Sequence, residues 1–298
     1  MRFTAWLVLL GTLLLWSGNW IVARAVRDEI APGIATAGRL LIVLAILLPF
    51  VFQGLAKKLS LLKKKDWLVL WALGFTGGGL HLALQWLGLH YTTATSGILY
   101  LSTSPIFILL MAAPLAAERI GVRQWLGVLI SFSGVATIAT KGEFGLLSFN
   151  LGDLMALASM MMWAGYTVFL RVRRDPLSTA ELIVLICALG LVFMTPWVVW
   201  EIVYNPRLEL SREGALGVLY SAIGSMLLTY AGWSYVVTRL GAARAGVTMH
   251  LMPAMGVALA ALFLGEYPRW FHFAGIALIL TGVALSSLRP AAPLTREQ

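Results

Sequence analysis

The feature that most constrains the fold of this chain is an internal repeat. Four residues of the first half recur 148 positions later: Pro105, Glu118, Gly127 and Gly134 correspond to Pro253, Glu266, Gly275 and Gly282. Trp16, Gly18 and Arg24 correspond in the same way to Trp163, Gly165 and Arg171, at an offset of 147. Matches at a fixed offset indicate a duplicated structural unit. The sequence therefore predicts two repeats, covering residues 1–145 and 146–298.

Composition places both repeats in a membrane. The chain is 60% hydrophobic and 12% charged, and its mean hydropathy is +0.87. A soluble domain is typically about 45–50% apolar and about 25% charged. We therefore expect an all-α, polytopic membrane protein that contacts membrane lipid along most of its surface.

Hydrophobic stretches give the number of predicted transmembrane helices. Each stretch approaches or exceeds the ~20 residues that cross ~30 Å of hydrocarbon. We predict ten spans, at 4–24, 32–52, 67–90, 92–115, 122–140, 151–171, 177–204, 213–237, 243–264 and 269–288. Since each repeat then holds five spans, the second repeat enters the membrane from the opposite side. Two inverted repeats are a recurrent plan of secondary transporters.

Lysine and arginine predict the orientation, because cytoplasmic loops carry an excess of these residues. With the N-terminus inside, fifteen of them fall in inside segments and six in outside segments, and Arg39 lies within the second span. We therefore expect both termini in the cytoplasm. The same bias accounts for most of the formal net charge of +9, so a nucleic-acid partner has little support.

The twelve tryptophans differ in predicted depth. Ten, Trp233 among them, fall in the outer thirds of their spans, where indole rings anchor at the headgroups. Trp16 and Trp163 instead lie near mid-membrane and are partners in the repeat. Two interpretations are open for this pair: core packing between the halves, or aromatic walls around a substrate. Tyr166 shares a helical face with Trp163 and joins the candidate substrate-binding residues.

Two prolines interrupt the spans at matching positions. Pro105 is central in the fourth span and Pro253 in the ninth, so the carbonyls of Leu101 and Met249 are expected to lose their helical partners. Polar residues lie near both prolines, and of these Tyr100 and His250 are candidate substrate ligands. Paired helix interruptions in two halves point to a central site. We predict that Pro105 and Pro253 act in gating.

The third span carries a polar face. Gly74, Gly78, His81, Gln85 and Gly88 recur at spacings of four and three residues, which places them on one side of a helix. The glycines permit close approach of another backbone, and Gly78 is a candidate hinge. His81 and Gln85 are candidate substrate ligands, although an interhelical hydrogen bond explains them equally well.

Arg39 is the one basic residue predicted to lie well inside a span. Its side chain could extend outward in a structural role, or it could meet a substrate carboxylate. The structural role is the interpretation that the sequence favours.

The sequence lacks the residues that several classes of activity require. None of the acidic residues lies at mid-span, so proton coupling through a membrane carboxylate has no candidate, and only His81 and His250 could change charge there near neutral pH. There is no nucleotide-binding G-x-x-x-x-G-K-[ST] motif, no metal-ligand spacing and no recognisable nucleophile–base pair. The sequence therefore predicts neither an enzyme nor a cofactor or metal site.

Over nearly its whole length, from Trp6 to Leu288, the chain resembles a known family. Proline, glutamate thirteen residues later and glycines after nine and seven more, in duplicate with a Trp-x-Gly start, resemble the EamA-type modules of the drug/metabolite transporter superfamily. The resemblance implies a ten-helix carrier of small organic molecules, commonly a metabolite exporter of the bacterial inner membrane. Within the superfamily, the chain is similar to aromatic amino acid exporters, some of which also expel cationic drugs. The four-helix multidrug members carry a glutamate in their first helix, which this chain lacks.

The favoured hypothesis is therefore a secondary carrier or facilitator that exports small amphipathic metabolites, with aromatic amino acids as the expected class, by alternating access around a mid-membrane site. The predicted substrate-binding residues are Trp163, His81, Gln85, Tyr100, Trp16, Tyr166 and His250. Because two inverted halves form a closed pseudo-symmetric unit, we expect a monomer. The alternatives are a membrane enzyme acting on lipid, a proton-coupled multidrug exporter and a passive channel.

Overall fold

The computed structural model describes residues 2–26, 29–91, 100, 103–117, 120–143, 151–205, 211–264 and 268–287. Within these ranges, all of the regular secondary structure elements are helices. In chain order they are α1 (Arg2–Val26), α2 (Pro32–Leu59), α3 (Lys64–Leu73), the π-helical segment π1 (Gly74–Leu80), α4 (His81–Tyr91), α5 (Ser104–Ala116), α6 (Val122–Ala139), α7 (Leu151–Val172), α8 (Thr179–Tyr204), α9 (Arg212–Ala222), the π-helical segment π2 (Ile223–Leu228), α10 (Thr229–Leu240), α11 (Ala242–Thr248), α12 (Leu251–Leu264) and α13 (Trp270–Ser287).

Five helical segments in the described ranges are long and apolar enough to cross a membrane. They are Pro32–Leu59, Lys64–Gln85, Leu151–Val172, Thr179–Tyr204 and Arg212–Leu240. Shorter apolar helices lie at Thr4–Asn19, Ser104–Ala116, Val122–Ile138 and Trp270–Ser286. Large apolar side chains are exposed on the outward faces of the long helices, as at Leu41 and Phe52 of α2 and Val199 of α8. Such surfaces suit contact with lipid tails rather than water.

The ends of α2 are joined to α8. At its N-terminus, the carboxylate of Glu201 accepts the amides of Gly33 and Ile34, both at 3.0 Å, where it also opposes the positive end of the helix dipole. At the other end, Lys58 pairs with Glu181 at 2.7 Å. Glu181 completes a capping box with Ser178 that begins α8. The two helices therefore lie antiparallel, and the acids at the ends of α8 fix their register.

The repeat glycines form the contact between α6 and α13. A Cβ atom on Gly127 would collide with the carbonyl of Gly282, and one on Gly134 with the carbonyl of Gly275; the reciprocal collisions also hold. Because the first glycine of α6 meets the last of α13, these repeat-related helices run antiparallel. We call the four residues Gly127, Gly134, Gly275 and Gly282 the glycine seam.

The prolines of the predicted fourth and ninth spans lie in the first turn of a helix. Pro105 is the second residue of α5, and Pro253 is the third residue of α12. Between α11 and α12 the chain turns at Met249 and His250, and the Met249 carbonyl accepts the amide of Met252 at 3.0 Å. The Met249 carbonyl therefore lacks its usual helical partner at Pro253, as expected, and a tighter turn supplies a replacement. Leu101 lies outside the described residues.

Other sequence predictions fall at the edges of what the structure describes. α10 ends at Leu240 and α11 begins at Ala242, joined by Gly241 at φ +90°, so a tight turn separates the predicted spans 213–237 and 243–264. The start of the predicted span 92–115 falls on residues 92–99, outside the described residues, as do the repeat glutamates Glu118 and Glu266.

Candidate functional site

A cavity lies between helices of the two sequence halves. Its volume is about 60 Å³, room for about four water molecules. The first half contributes residues from α1, α2 and α4, and the second half contributes residues from α7, π2, α10, α12 and the turn before α12. The lining residues are Trp16, Asn19, Arg39, His81, Leu82, Gln85, Met160, Trp163, Ser225, Met226, Tyr230, Met249 and Met252.

An aromatic cluster forms one side of this cavity. The ring centroids of Trp16 and Trp163 are 5.0 Å apart in an edge-on arrangement, and Trp233 lies 5.3 Å from Trp16 and 5.9 Å from Trp163. Tyr230 lies 5.8 Å from Trp163, and Tyr166 lies 5.0 Å from it. Edge-on and tilted contacts at these separations are the favoured geometries of aromatic pairs. The repeat partners Trp16 and Trp163 therefore both pack on each other and line the cavity.

The two π-helical segments supply acceptors for this cluster. The indole N–H of Trp16 donates to the Ser225 carbonyl in π2 at 3.1 Å, and the Tyr230 hydroxyl donates to the Gly77 carbonyl in π1 at 2.7 Å. A π turn departs from the i→i+4 pattern, so its carbonyls can accept side-chain donors. Each half thus provides a π carbonyl to an aromatic residue of the other half.

Two further indoles also have partners. Trp163 donates to the sulfur of Met249 at 3.3 Å, and Trp233 donates to the hydroxyl of Thr167 at 3.1 Å. Trp233 is fully buried, so its predicted place at the headgroups is wrong. Its position along the span did not reveal its direction, because it turns inward toward α1 and α7.

His81 is held by α7. Its Nδ1 lies 3.0 Å from the Ser159 carbonyl, and the Ser159 hydroxyl donates to the His81 carbonyl at 2.9 Å. Since the Ser159 carbonyl can only accept, this network assigns the proton of a neutral ring to Nδ1. Nε2 is then the ring acceptor. The His81 ring also lies 5.1 Å from Trp163, so one residue combines a fixed orientation with a place in the cavity.

Four methionines complete the apolar lining: Met160, Met226, Met249 and Met252. Unbranched thioether side chains have three rotatable bonds and fit ligands of irregular shape. The rigid aromatic side of the cavity therefore faces side chains that can move to admit a larger molecule.

Arg39 is the one cation among the lining residues, and no acid is among them. Its side chain is buried, with 5% exposure, and Nε and Nη2 have no hydrogen-bond partner in the part of the chain that the structure describes. This burial does not fit the outward path of the side chain that the sequence favoured.

Four predicted substrate ligands line the cavity, and three do not. The structure brings together Trp16, His81, Gln85 and Trp163. Tyr166 is buried one helical turn further along α7, and its ring fills the space beside Gly77.

The other two predicted ligands point elsewhere. Tyr100 is half-buried beside Asp153, to which it hydrogen-bonds. His250 is buried against the hydroxyl of Ser131 on α6, whereas its neighbour Met249 lines the cavity. Helical spacing identified the polar face of α4 correctly, but it could not predict which way a residue turns at a helix break.

The hinge candidate Gly78 lies in π1, and a Cβ there would collide with the Ile186 carbonyl and lie 3.2 Å from the Cα of Gly190. The predicted close approach of another backbone is therefore confirmed. A hinge motion at Gly78, like gating at Pro105 and Pro253, stays a prediction.

Sequence reasoning missed the contribution of π2 and α10, namely Ser225, Met226 and Tyr230. The repeat offered one signal for this contribution, because π1 and π2 occupy matching positions about 148 residues apart. The two segments differ in sequence, so residue identity alone did not reveal them.

Comparison with known proteins gives the family. The model of the EamA-like transporter family matches residues 3–140 and 150–288. This chain belongs to the EamA-like transporter family. Membership of this family, together with the apolar helices, indicates a multi-pass helical membrane protein. It also indicates a transporter of small molecules rather than an enzyme.

Similar EamA relatives come from archaea and bacteria. An uncharacterized transporter of Archaeoglobus fulgidus is 29% identical over 287 residues, covering 95% of this chain and 97% of that protein. A probable terminal-alkyne amino-acid exporter of Streptantibioticus cattleyicolor is 29% identical over 209 residues, 69% of this chain and 68% of that one.

Two further comparisons show more distant similarity. A probable amino-acid metabolite efflux pump of Escherichia coli is 23% identical over 195 residues, 63% of this chain and 65% of that one. A solved crystal structure matches with a TM-score of 0.76 at 24% identity, covering 97% of this chain and 98% of that chain, so the fold is shared.

Proposed function

We propose that this protein exports small amphipathic metabolites, with aromatic amino acids as the preferred class, through the central cavity. The observation that carries the proposal is the composition of the lining. Trp16, Trp163 and Tyr230 offer aromatic surface, while Arg39 and His81 offer a donor and an acceptor. Small-molecule sites are mostly apolar with a few placed polar groups. The names of the S. cattleyicolor and E. coli relatives support an amino acid as the substrate.

The proposed architecture is ten spans in two inverted five-helix repeats, 1–145 and 146–298. The antiparallel contact of the repeat-related helices α6 and α13 supports inversion, because parallel repeats would not reverse the order of the seam glycines. The charge bias supports cytoplasmic termini in a bacterial cytoplasmic membrane. Thiol labelling in intact cells tests the orientation: Gly145→Cys should react from outside and Lys64→Cys should not, and the opposite result would invert the map.

The proposed mechanism is alternating access around the cavity. The helix breaks before Pro105 and Pro253 allow α5 and α12 to bend. The π segments do the same for α4 and α10. At these points the regular i→i+4 hydrogen bonding is already interrupted, so bending does not have to break it. The methionines would rearrange as the substrate enters. We propose that a monomer suffices; a stable dimer with its substrate path at the subunit boundary would contradict this.

The proposed driving force is the substrate gradient. None of the described lining residues carries a carboxylate. Proton-coupled pumps usually keep an ionisable relay in the membrane, so this lining favours a facilitator. The alternative is a proton-coupled exporter. The observation that favours it is His81, the titratable histidine of the lining. Uphill flux driven by an imposed pH gradient, surviving the loss of both His81 and His250, would contradict the facilitator mechanism.

Flux from proteoliposomes tests the substrate class. Vesicles loaded with radiolabelled phenylalanine, tryptophan, leucine or alanine should release the aromatic amino acids faster than protein-free vesicles do, and faster than alanine. Trp163→Ala should lower the aromatic preference by about two- to tenfold, the value of one lost aromatic contact. Trp200→Ala is the matched control, because Trp200 is 52% exposed on the outside of α8. Equal wild-type flux of phenylalanine and alanine would defeat the aromatic preference.

A further inference from the structure

Arg39 stands out because its charge is buried without compensation. Among the described residues, Lys58 pairs with Glu181 and Arg173 pairs with Asp175, and neither ion pair includes Arg39. On α8, the helix packed along α2, Glu181 is held by Lys58 and Glu201 by the amides of Gly33 and Ile34. Glu181 and Glu201 are the two acids of this helix pair, and both are thus committed to the ends of α2.

The burial also excludes an outward path to the headgroups. Arg39 lies seven residues inside the start of α2, about 10 Å along the helix axis, and Nε and Nη2 have no solvent contact. An arginine that extends to the interface keeps its charged end in water. A buried charge without a partner disfavours the folded state unless something else is gained.

The repeat shows that this cation is not part of the symmetric scaffold. The residue 148 positions after Arg39 is Cys187, which is buried and uncharged. A guanidinium needed to pack α2 would be expected to have a counterpart packing α8. Arg39 belongs to the cavity instead, where its neighbours in the lining include His81 and Gln85.

We infer that Arg39 binds the carboxylate of the exported molecule, so that a free carboxylate is required for recognition. This inference rests on the proposed function and names the group that selects its substrate. Guanidinium matches the two carboxylate oxygens with paired N–H donors. One cation and no acid in the described lining match a single negative charge, which favours a carboxylate over a doubly charged phosphate.

The rest of the lining fits the other parts of an amino acid. When the His81 ring is neutral and its proton is on Nδ1, Nε2 is its acceptor, which suits an ammonium group. The aromatic cluster suits an apolar side chain. The same charge arrangement disfavours cations that lack a carboxylate, because Arg39 would repel them at short range. Cationic drugs are therefore expected to be poor substrates of this family member.

Binding to the purified, full-length protein tests the inference. Four probes separate the chemistry: phenylalanine, phenylalaninamide (no carboxylate), phenylpropionate (no amine) and inorganic phosphate. The wild type should bind phenylalanine and phenylpropionate and should bind phenylalaninamide weakly. Arg39→Met should weaken phenylalanine binding by about ten- to a hundredfold and should strengthen phenylalaninamide binding, because the repulsion of this cation by Arg39 is removed.

Thermal stability without ligand separates this role from a structural one. Arg39→Met should melt at or above the wild-type temperature, because it removes an uncompensated buried charge. Lys58→Met is the matched control: it removes the paired cation of the same helix, and it should lower the melting temperature without changing phenylalanine affinity. If Arg39→Met does not accumulate, Arg39→Gln should lose the discrimination between phenylalanine and its amide, and Arg39→Lys should retain part of it.

The outcomes separate this inference from the proposed function. If the wild type transports phenylalanine and Arg39→Met or Arg39→Gln keeps its preference over the amide, carboxylate binding by Arg39 is overturned while export stands. If the wild type ignores amino acids yet binds phenylpropionate only when Arg39 is present, Arg39 is supported and the amino acid substrate is wrong. Binding of phosphate alone, or of no carboxylate at all, overturns the inference.

Discussion

The glycine seam and the central cavity are both contacts between the two sequence halves, and they are built in opposite ways. In the seam, backbones touch at Gly127–Gly282 and Gly134–Gly275, and no side chain fits between them. In the cavity, the backbones stand apart, and the space holds rings, methionines and one guanidinium. Close backbone packing through small residues is a main source of helix association in membranes, so the seam has the character of a fixed support.

The repeat is kept in one region and abandoned in the other. All four seam glycines keep their residue type across the repeat, whereas among the described cavity residues only Trp16 and Trp163 do so. At an offset of 148, Arg39 corresponds to Cys187 and Gln85 to Trp233. Symmetric positions therefore set the architecture, and positions where symmetry is lost set the chemistry that a substrate meets.

The largest effect is expected in the seam. Gly282→Val places methyl groups against the Gly127 carbonyl and the Ser131 backbone, and neither can move without separating α6 from α13. Overpacking of this kind destabilises by about 1–3 kcal/mol or more. We expect a broad loss of monodisperse protein in detergent, measured by size-exclusion chromatography of a fluorescent fusion.

Gly11→Ala is the control for the seam substitution. No atom lies within 4 Å of a Cβ at Gly11, so alanine there should be neutral or should stabilise α1 by at most about 1 kcal/mol. Normal accumulation of Gly282→Val would show that α6 and α13 can separate freely, and the contrast between the seam and the cavity would fail.

A smaller effect is expected at the start of α2, which tests whether acids around this helix serve the fold rather than the ligand. Glu201→Gln keeps one acceptor but loses the charge that caps Gly33 and Ile34. A loss of about 1 kcal/mol is typical of a weakened helix cap. Thermal melting should fall by a few degrees, and phenylalanine affinity should not change.

The exposed acid Glu213, in the first turn of α9, is the control for Glu201. Glu213→Gln should leave both the melting temperature and the affinity unchanged, since surface substitutions usually fall within about 0.5 kcal/mol. A Glu201→Gln variant with normal stability but weakened phenylalanine binding would place an acid in the recognition of the substrate, which the structure does not support.

The sequence predicted the scaffold better than the site. Fixed spacing located the seam glycines, the central pair Trp16 and Trp163, and the polar face of α4, because each depends on periodicity along one chain. The inward turn of Trp233 and the outward turn of His250 depend on which helix lies beside them, and a single sequence does not contain that information.

Arg39 shows the same limit more sharply. Its presence within a span was evident, but the sequence left two roles open and favoured the structural one. The deciding fact is that the described residues offer Nε and Nη2 no partner, and a missing contact has no signature in sequence. The π segments were missed for a related reason: GFTGGGL and IGSMLL share a backbone conformation without sharing a residue pattern.

Accessibility of the cavity from both sides of the membrane tests the central claim most directly. Cys187 is the single native cysteine and is buried, so Cys187→Ser gives a background for Met226→Cys in the cavity and for Val43→Cys, a buried residue of α2 that does not line it. In proteoliposomes, Met226→Cys should react with a small impermeant thiol reagent added to either side, and phenylalanine should slow both reactions, while Val43→Cys should stay unreactive. Reaction from one side only, or reaction that phenylalanine does not slow, would contradict a single central site that opens alternately to each side.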